Sequence, residues 1–385
     1  MPSIRFIEPS FTRRNPSTNG LVDVVVELVK HDWDVEVFSH DVDPSIAGIV
    51  HHRLAPHFSF RYGLSAWCYF LYYQWQGIID KLTKRKKADV TVSTGFMFLA
   101  ADLATVHFSH IDYLKSSLKN GQCAKGFLVN LPYMLVGVIS EIIFLWNPFR
   151  SRLLVVSKSV VNDMCNYAAP WKSIQELPNQ VNAVKFTPAY RETVRPDARQ
   201  IYGFNDEETV FLFGSAGHHY RKGLFQAVEV IAMLRSKNLS VQFLIIGGND
   251  KNLNRLLKYL KLHNPDFESW IKFSGFVTNP EFHFSAADAL FLPSLSEAFS
   301  LVEIEAAALG LPLYLTAHHG SEMILKDGEN GRLLPWDTEG MAEILESEIR
   351  NSRIQCTSGS TGYALSKEAY FQAWMKEITT IVEIV

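Results

Sequence analysis

The chain has 385 residues, too many for a single hydrophobic core, so two domains are expected. Apolar residues make up 47% and charged residues 20%, a globular balance that excludes a disordered chain. A net charge of −3 gives no drive toward nucleic acid, and four scattered cysteines without CxxC spacing argue against a zinc site and for reduced thiols in the cytosol.

The N-terminus MPSIRFIEPS lacks the apolar run of a signal peptide. Residues 4–7 form a first strand, 21–29 a helix and 35–38 a second strand, the start of a parallel α/β sheet. In the loop between strand and helix, Gly20 follows Asn19; the pair is a turn signal and also a point where a substrate could approach the backbone. Asp32-Trp33-Asp34 and Asp41-Val42-Asp43 have a spacing that can hold a divalent ion, but as acids flanking a short strand they read as solvated side chains. Residues 58–79 are rich in aromatics and run into Lys81, Lys84, Arg85, Lys86 and Lys87. Such a segment either rests on an anionic membrane surface or is a core helix with a solvated basic end. Strands at 89–93 and 103–106 follow, the second leading into His107. That histidine stands where open α/β sheets bind ligands, a place that also suits a turn cap or a buried, satisfied imidazole. Residues 127–146 are long enough to span a bilayer, but Asn130, Pro132 and Glu141 interrupt them. A long core helix before a strand at 153–156 is therefore expected.

A second α/β series begins with a strand at 210–214 and a helix from Leu224. Strands at 243–248 and 271–277 flank a helix near 253–262. The stretch 287–312 then supplies an apolar strand at 289–292, a polar loop at 293–299 and a helix from Leu301, with another strand at 311–315. Ser300 and Glu303 have the spacing of a capping box, and Ile304, Ala307 and Ala308 share a helix face. Glu297 and Glu305 are left over from capping. A helix N-terminus aimed at a loop is an anion site. The pairs His218-His219 and His318-His319 read as polar lining rather than metal ligands, because adjacent side chains diverge. A break near 178–188 divides two parallel-sheet units of similar size, which implies two facing Rossmann-like domains with a cleft between them. The expected boundaries are 1–182 and 183–365, with 366–385 a C-terminal helix crossing back to the first domain.

EAFSLVEIEAAALGLP resembles the signature of glycosyltransferase family 4, two glutamates separated by seven residues and followed by E-A-x-x-x-G-x-P. SKSVVNDMCNY, PNQVNAVKFTP, RKG, FSGFV, SAADALFLPS and DGENGRLL resemble further motifs of that family, in its order, across about residues 150–335. The first half is similar more loosely, through DVEVFS and TVHFSH. The resemblance implies a GT-B fold and transfer of a sugar from a UDP- or GDP-sugar, with retention and without a metal or other cofactor, to a glycan or lipid-linked acceptor. Cell-surface polysaccharide or lipopolysaccharide synthesis at the cytoplasmic membrane face is the implied setting. An epimerase-like GT-B enzyme and an inactive sugar-nucleotide-binding subunit are the alternatives.

By resemblance, Arg221 and Lys222 contact the diphosphate, the backbone of Phe299, Ser300, Leu301 and Val302 lines it, and Gly275, Phe276 and Val277 border the base. Glu305 holds the ribose, Glu297 the donor sugar, and His107 stands near that sugar, making Glu297 and His107 the implied catalytic pair. The departing phosphate, rather than the two glutamates, is the implied proton acceptor. The chain departs from the family at Ala298 and Ser300, where glycines usually flank the phenylalanine, at Ser215 in place of an arginine, and at Gln180 in place of a hinge glycine.

Overall fold

A computed structural model describes all residues except 16, 55–63, 83–87, 120–123, 150, 216–218, 249, 360–363 and 385. The basic run 84–87, the aromatics Phe58, Phe60 and Tyr62, and His218 therefore lie outside the described residues. The chain divides into two compact units, one formed by residues 1–180 and 365–385, the other by 181–364.

The strands of the first unit are β1 (Ser3–Ile7), β2 (Ser10–Phe11), β3 (Asp34–Ser39), β4 (Asp41–Val42), β5 (Val50–Arg53), β6 (Val90–Thr94), β7 (Leu103–Val106), β8 (Arg152–Val155) and β9 (Ser173–Glu176). Its helices are α1 (Asn19–Lys30), α2 (Leu64–Leu82), α3 (His110–Lys119), α4 (Ala124–Trp146) and α5 (Lys158–Tyr167). Seven strands form a parallel sheet in the order β5-β3-β1-β6-β7-β8-β9. Central strands β6 and β7 are buried throughout, as strands covered on both faces by helices must be. The C-terminal helix, Lys367–Ile384, belongs to this unit: Tyr370, Phe371, Trp374 and Ile378 share a core with α1 and β1. Lys367 reaches Asp23 at 3.0 Å and Glu377 reaches Arg152 at 2.6 Å, pinning both ends of that packing.

Two expectations fail here for identifiable reasons. Asp43 is buried rather than solvated, because it accepts hydrogen bonds from the Arg13 N–H at 3.0 Å and from both Ser45 donors. Helix α4 is not simply a core helix. Its one acid, Glu141, is fully buried and accepts from Ser109 Oγ (2.9 Å) and the His110 N–H (2.7 Å), capping α3. Its apolar residues Leu135, Ile139, Ile142 and Trp146 are 44–57% exposed instead. No helix among the described residues is long and apolar enough to cross a membrane.

The second unit has strands β10 (Thr209–Gly214), β11 (Val241–Ile246), β12 (Ile271–Gly275), β13 (Ala289–Leu292), β14 (Leu313–Thr316) and β15 (Gly331–Leu334). Its helices are α6 (Pro188–Tyr202), α7 (Leu224–Ser236), α8 (Asp250–His263), α9 (Pro280–Phe284), α10 (Leu301–Ala308), α11 (Ser321–Ile324) and α12 (Thr338–Arg350), which makes the C-terminal helix α13. All six strands are parallel, in the order β12-β11-β10-β13-β14-β15. Counted along the chain this is 3-2-1-4-5-6, the doubly wound order whose strand sequence reverses beside its first strand, here between β10 and β13. Ligands of such sheets bind outside the carboxyl ends of the strands at that reversal.

Candidate active site

Two segments meet beyond the carboxyl ends at the reversal point of the second unit: residues 219–223, which follow β10 in the chain, and residues 293–300 after β13. They are stapled together. Leu295 donates its N–H to the Arg221 carbonyl at 2.8 Å, and Arg221 Nη1 donates back to the Ser296 carbonyl. Gly223 makes the approach possible: its φ is +76°, and a Cβ there would stand 2.0 Å from the Pro293 carbonyl oxygen.

Three charges meet where the loops touch. Glu297 Oε1 lies 3.0 Å from Arg221 Nη1 and 3.0 Å from Lys222 Nζ, and it accepts from Ser294 Oγ at 2.8 Å. Ser294 is in turn fixed by Thr316, whose hydroxyl donates to the Ser294 carbonyl at 2.7 Å. Burial works against a charge on Glu297, but Arg221, Lys222 and His318 outweigh it and hold the carboxyl well below the usual range. The result is a buried carboxylate whose charged form is favoured by its partners. Lys222 Nζ is also 3.5 Å from Ser300 Oγ, at the N-terminus of α10.

The expected capping box does not form. Ser300 makes no side-chain cap, and Glu303 turns inward to a second ion pair, its Oε1 3.2 Å from His318 Nε2 with both side chains fully buried. Burial lowers the imidazole's affinity for a proton, yet Glu303, Glu297 and the His319 carbonyl push His318 up to about 9. His318 and His319 thus have different surroundings. The turn that carries His318 abuts the active loop: a Cβ on Gly320 (φ +84°) would lie 2.7 Å from the Ala298 carbonyl oxygen. Nothing in the spacing of Glu303 and His318 along the chain signals this partnership.

The remaining residues are more spread out. Phe299 is buried, while Leu301 and Val302 are half-buried, Val302 lying against Gly214 at the end of β10. Glu305 sits one turn into α10, half-buried; burial and then the nearby Glu281 push it up to about 8. At the end of β12, Gly275 has φ +66° with open space around it, Phe276 is exposed and Val277 half-buried. Ser215 is buried at the end of β10, its N–H donating to the Ile246 carbonyl. His219 is buried against Gly248, and burial lowers its pKa.

Gly20 and His107 belong to the first unit. The bare face of Gly20 meets the Tyr370 ring, 3.1 Å from where a Cβ would stand, so its smallness serves the packing of α1 on α13. His107 follows β7, half-buried, and burial alone lowers it to about 4. Gln180 closes the first unit, its amide donating to Asp23 at 2.7 Å.

Residues 207–351 match the family model described as "Glycosyl transferases group 1". A D-inositol 3-phosphate glycosyltransferase of Arthrobacter sp. (strain FB24) is 29% identical over 233 residues, covering 57% of this chain and 51% of that protein. The chain spans about half the length of the curated relatives it matches. Among solved structures, WaaG, a glycosyltransferase involved in lipopolysaccharide biosynthesis, has a TM-score of 0.72 at 17% identity over 99% of this chain and 95% of its own. Anabaena HepE in complex with UDP-glucose has a TM-score of 0.68 at 15% identity over 100% of both chains. The fold is GT-B, as these likenesses show.

Proposed function

We propose, from a GT-B fold whose second unit matches the group 1 glycosyl transferases, that this chain moves a sugar from a nucleotide-sugar donor to a glycan or glycolipid acceptor, with retention and without a metal. The observation that carries this reading is the junction of Arg221, Lys222 and Glu297 at the sheet's reversal point, beside the N-terminus of α10. A leaving nucleoside diphosphate needs its charge met by fixed donors. Arg221 supplies a planar pair of N–H groups, Lys222 a point charge, and α10 its free backbone N–H groups.

Glu297, held through Oε1 by its three partners, orients hydroxyls of the donor sugar and stays negative as positive charge develops at the anomeric carbon. As the bond from that carbon to the diphosphate breaks, the leaving oxygen keeps the electron pair and takes the proton of the acceptor hydroxyl. The acceptor oxygen then bonds on the same face. Glu305, one turn along α10, accepts from the ribose hydroxyls after losing its own proton to solvent. The donors are UDP-sugars by analogy with HepE, and the acceptor class follows WaaG. Incubation with UDP-glucose tests the reading: slow release of UDP that a glycan acceptor accelerates supports transfer, and failure to bind any UDP- or GDP-sugar sinks it.

Contact with a membrane surface is the second part of the proposal. Leu71, Trp75 and Ile78 on α2 are 50–59% exposed at helical spacing, and α2 packs beside α4 with its own exposed row of Leu135, Ile139, Ile142 and Trp146. The basic run at 84–87 follows α2 in sequence. Apolar side chains next to basic ones suit the interface of an anionic bilayer. Co-sedimentation with phosphatidylglycerol vesicles should be lost in the Trp75→Asp/Ile139→Asp variant, and equal recovery of both proteins in the supernatant would refute it.

A further inference from the structure

The loop that carries Glu297 is held from two sides. It runs into α10, whose first turn carries Glu303. Against it presses the turn 317–320: a Cβ on Gly320 would stand 2.7 Å from the Ala298 carbonyl oxygen and 3.0 Å from the Cα of Phe299, the two residues after Glu297. Ser321 stiffens that turn, its hydroxyl donating to the His318 carbonyl at 2.7 Å and its N–H at 3.2 Å. A side-chain contact closes the bracket: His318 Nε2 lies 3.2 Å from Glu303 Oε1, and both side chains are fully buried.

Both nitrogens of the His318 ring face acceptors. Nδ1 lies 3.0 Å from the His319 carbonyl oxygen, and Nε2 faces the carboxylate. A neutral imidazole has one N–H, so only the imidazolium serves both. Glu303 depends on that charge in return, because neither of its oxygens has a hydrogen-bond partner among the described residues. Removing the proton would leave a buried carboxylate unpaired, which is costly. Arg221 and Lys222 keep 14% and 8% of their side chains exposed and can turn to a ligand. His318, at 0%, cannot, so its charge serves the protein itself.

We propose that His318 is a positioning residue for Glu297: its imidazolium clasps the 317–320 turn to the first turn of α10, and the loop between them holds the Glu297 carboxylate in place while that clasp is closed. This rests on the transferase reading, in which Glu297 orients the donor sugar. Turnover then depends on the charge of a ring that no substrate touches. The groups facing that ring are Glu303 from α10 and Glu297 from the loop after β13, with Arg221 and Lys222 of segment 219–223 beyond Glu297 at 3.0 Å. Its own turn adds the His319 carbonyl, and α11 adds the uncharged Ser321. The two acids outweigh burial and keep the proton in place up to about pH 9. Above that, the ring keeps one N–H for two acceptors and the clasp opens.

The test uses the full chain, UDP release from UDP-glucose between pH 6 and 10, and calorimetry with UDP. In the unmodified chain kcat should be level to about pH 8.5 and then fall, by about tenfold per pH unit at the steepest, while UDP affinity changes less than about twofold. His318→Gln should lower kcat at pH 7 by about tenfold, leave the KM for UDP-glucose within about twofold, and abolish the alkaline fall. Glu303→Gln keeps the ring but removes the acid that raises it, so the fall should move at least about one pH unit lower. A pair that only stabilises the fold would lower the Tm of both variants and leave the shape of the kcat profile unchanged, which overturns the proposal. So does a Glu303→Gln profile that falls where the unmodified one does, or a KM that rises by as much as kcat drops. If the unmodified chain binds UDP and releases it from UDP-glucose, those results bear on His318 alone. If it does neither, the transferase reading fails and the positioning role fails with it.

Discussion

Both sheets place their first strand in the interior and reverse their order beside it, so β1 and β10 are topological counterparts. At the carboxyl edge of β10 and β13 the groups are ionic: Arg221, Lys222 and His318 against Glu297 and Glu303. At the edge of β1, β6 and β7 they are neutral: two threonine hydroxyls, a protonated Glu8 and an uncharged His107. The first edge gathers opposite charges close enough to cancel the penalty of burial; the second avoids charge altogether. One topology carries two chemically different edges, and the residues just past the strand ends set that difference.

The largest expected effect falls on the ionic edge. Glu297→Ala should lower the transfer rate by about a thousandfold, a loss of the size expected when a positioned charge is removed from a transition state. UDP should still bind, because Arg221 and Lys222 then no longer share their charge with Glu297. Stopped assays with UDP-glucose and calorimetry with UDP separate the two effects; a near-normal rate would mean the site is misplaced. Arg221→Ala comes next. It should weaken UDP binding by about a hundredfold, in line with breaking a buried, charge-assisted contact. The same substitution strips Glu297 of a counter-charge and should lower the Tm as well. A smaller effect, about tenfold in UDP affinity, is expected of Glu305→Ala if the carboxylate holds the ribose. That variant should bind UDP and its 2′,3′-dideoxy analogue alike, and continued discrimination between them would remove Glu305 from the ribose.

The ionic edge was the more legible of the two. An apolar run at 289–292, a polar loop and a helix from Leu301 can be seen by pattern, and β13 and α10 occupy those residues. Glu297 stands out as an acid left over from capping, and the two parallel-sheet units follow from the alternation of strands and helices; the pairing of Arg221 and Lys222 with a diphosphate and the GT-B assignment come from the family resemblance. The pattern misled at Ser300 and Glu303, where capping-box spacing is present but the acid is taken by a histidine fifteen residues away in sequence terms, across the next strand. Only the packing of β14 against β13 brings that partner near. Edge strands are hard to read from sequence for a different reason: β5 (VHHR) and β9 (SIQE) are largely exposed or half-buried and lack the apolar periodicity that marks a strand. The neutral edge was hidden because nothing in Glu8, Thr94 or Thr105 taken singly departs from ordinary strand ends. Register across three strands puts them in one row.

The smallest and most discriminating contrast lies in the two histidines, whose pKa values move in opposite directions. His318 is raised from 6.5 to about 9 by Glu303 and Glu297 against the pull of burial. Its contribution to stability is complete below pH 6.5, where the imidazole is charged in both states, and is lost as pH rises through 9. His107 is lowered from 6.5 to about 4 by burial. Its contribution is complete above pH 6.5 and is lost as pH falls toward 4, because the unfolded chain then binds a proton that the folded chain refuses. Each window has a slope of at most about 1.4 kcal/mol per pH unit from its histidine. Glu305 and Glu8, both raised to about 8, add a decline between pH 4.5 and 8 that belongs to neither histidine. Urea melts across pH 4 to 9.5 should therefore lose alkaline slope above pH 8 in His318→Gln, and lose acid slope below pH 6.5 in His107→Gln. If His318→Gln left the alkaline limb unchanged, the imidazole would be neutral beside Glu303, and the ionic character assigned to that edge would reduce to Arg221, Lys222 and Glu297 alone.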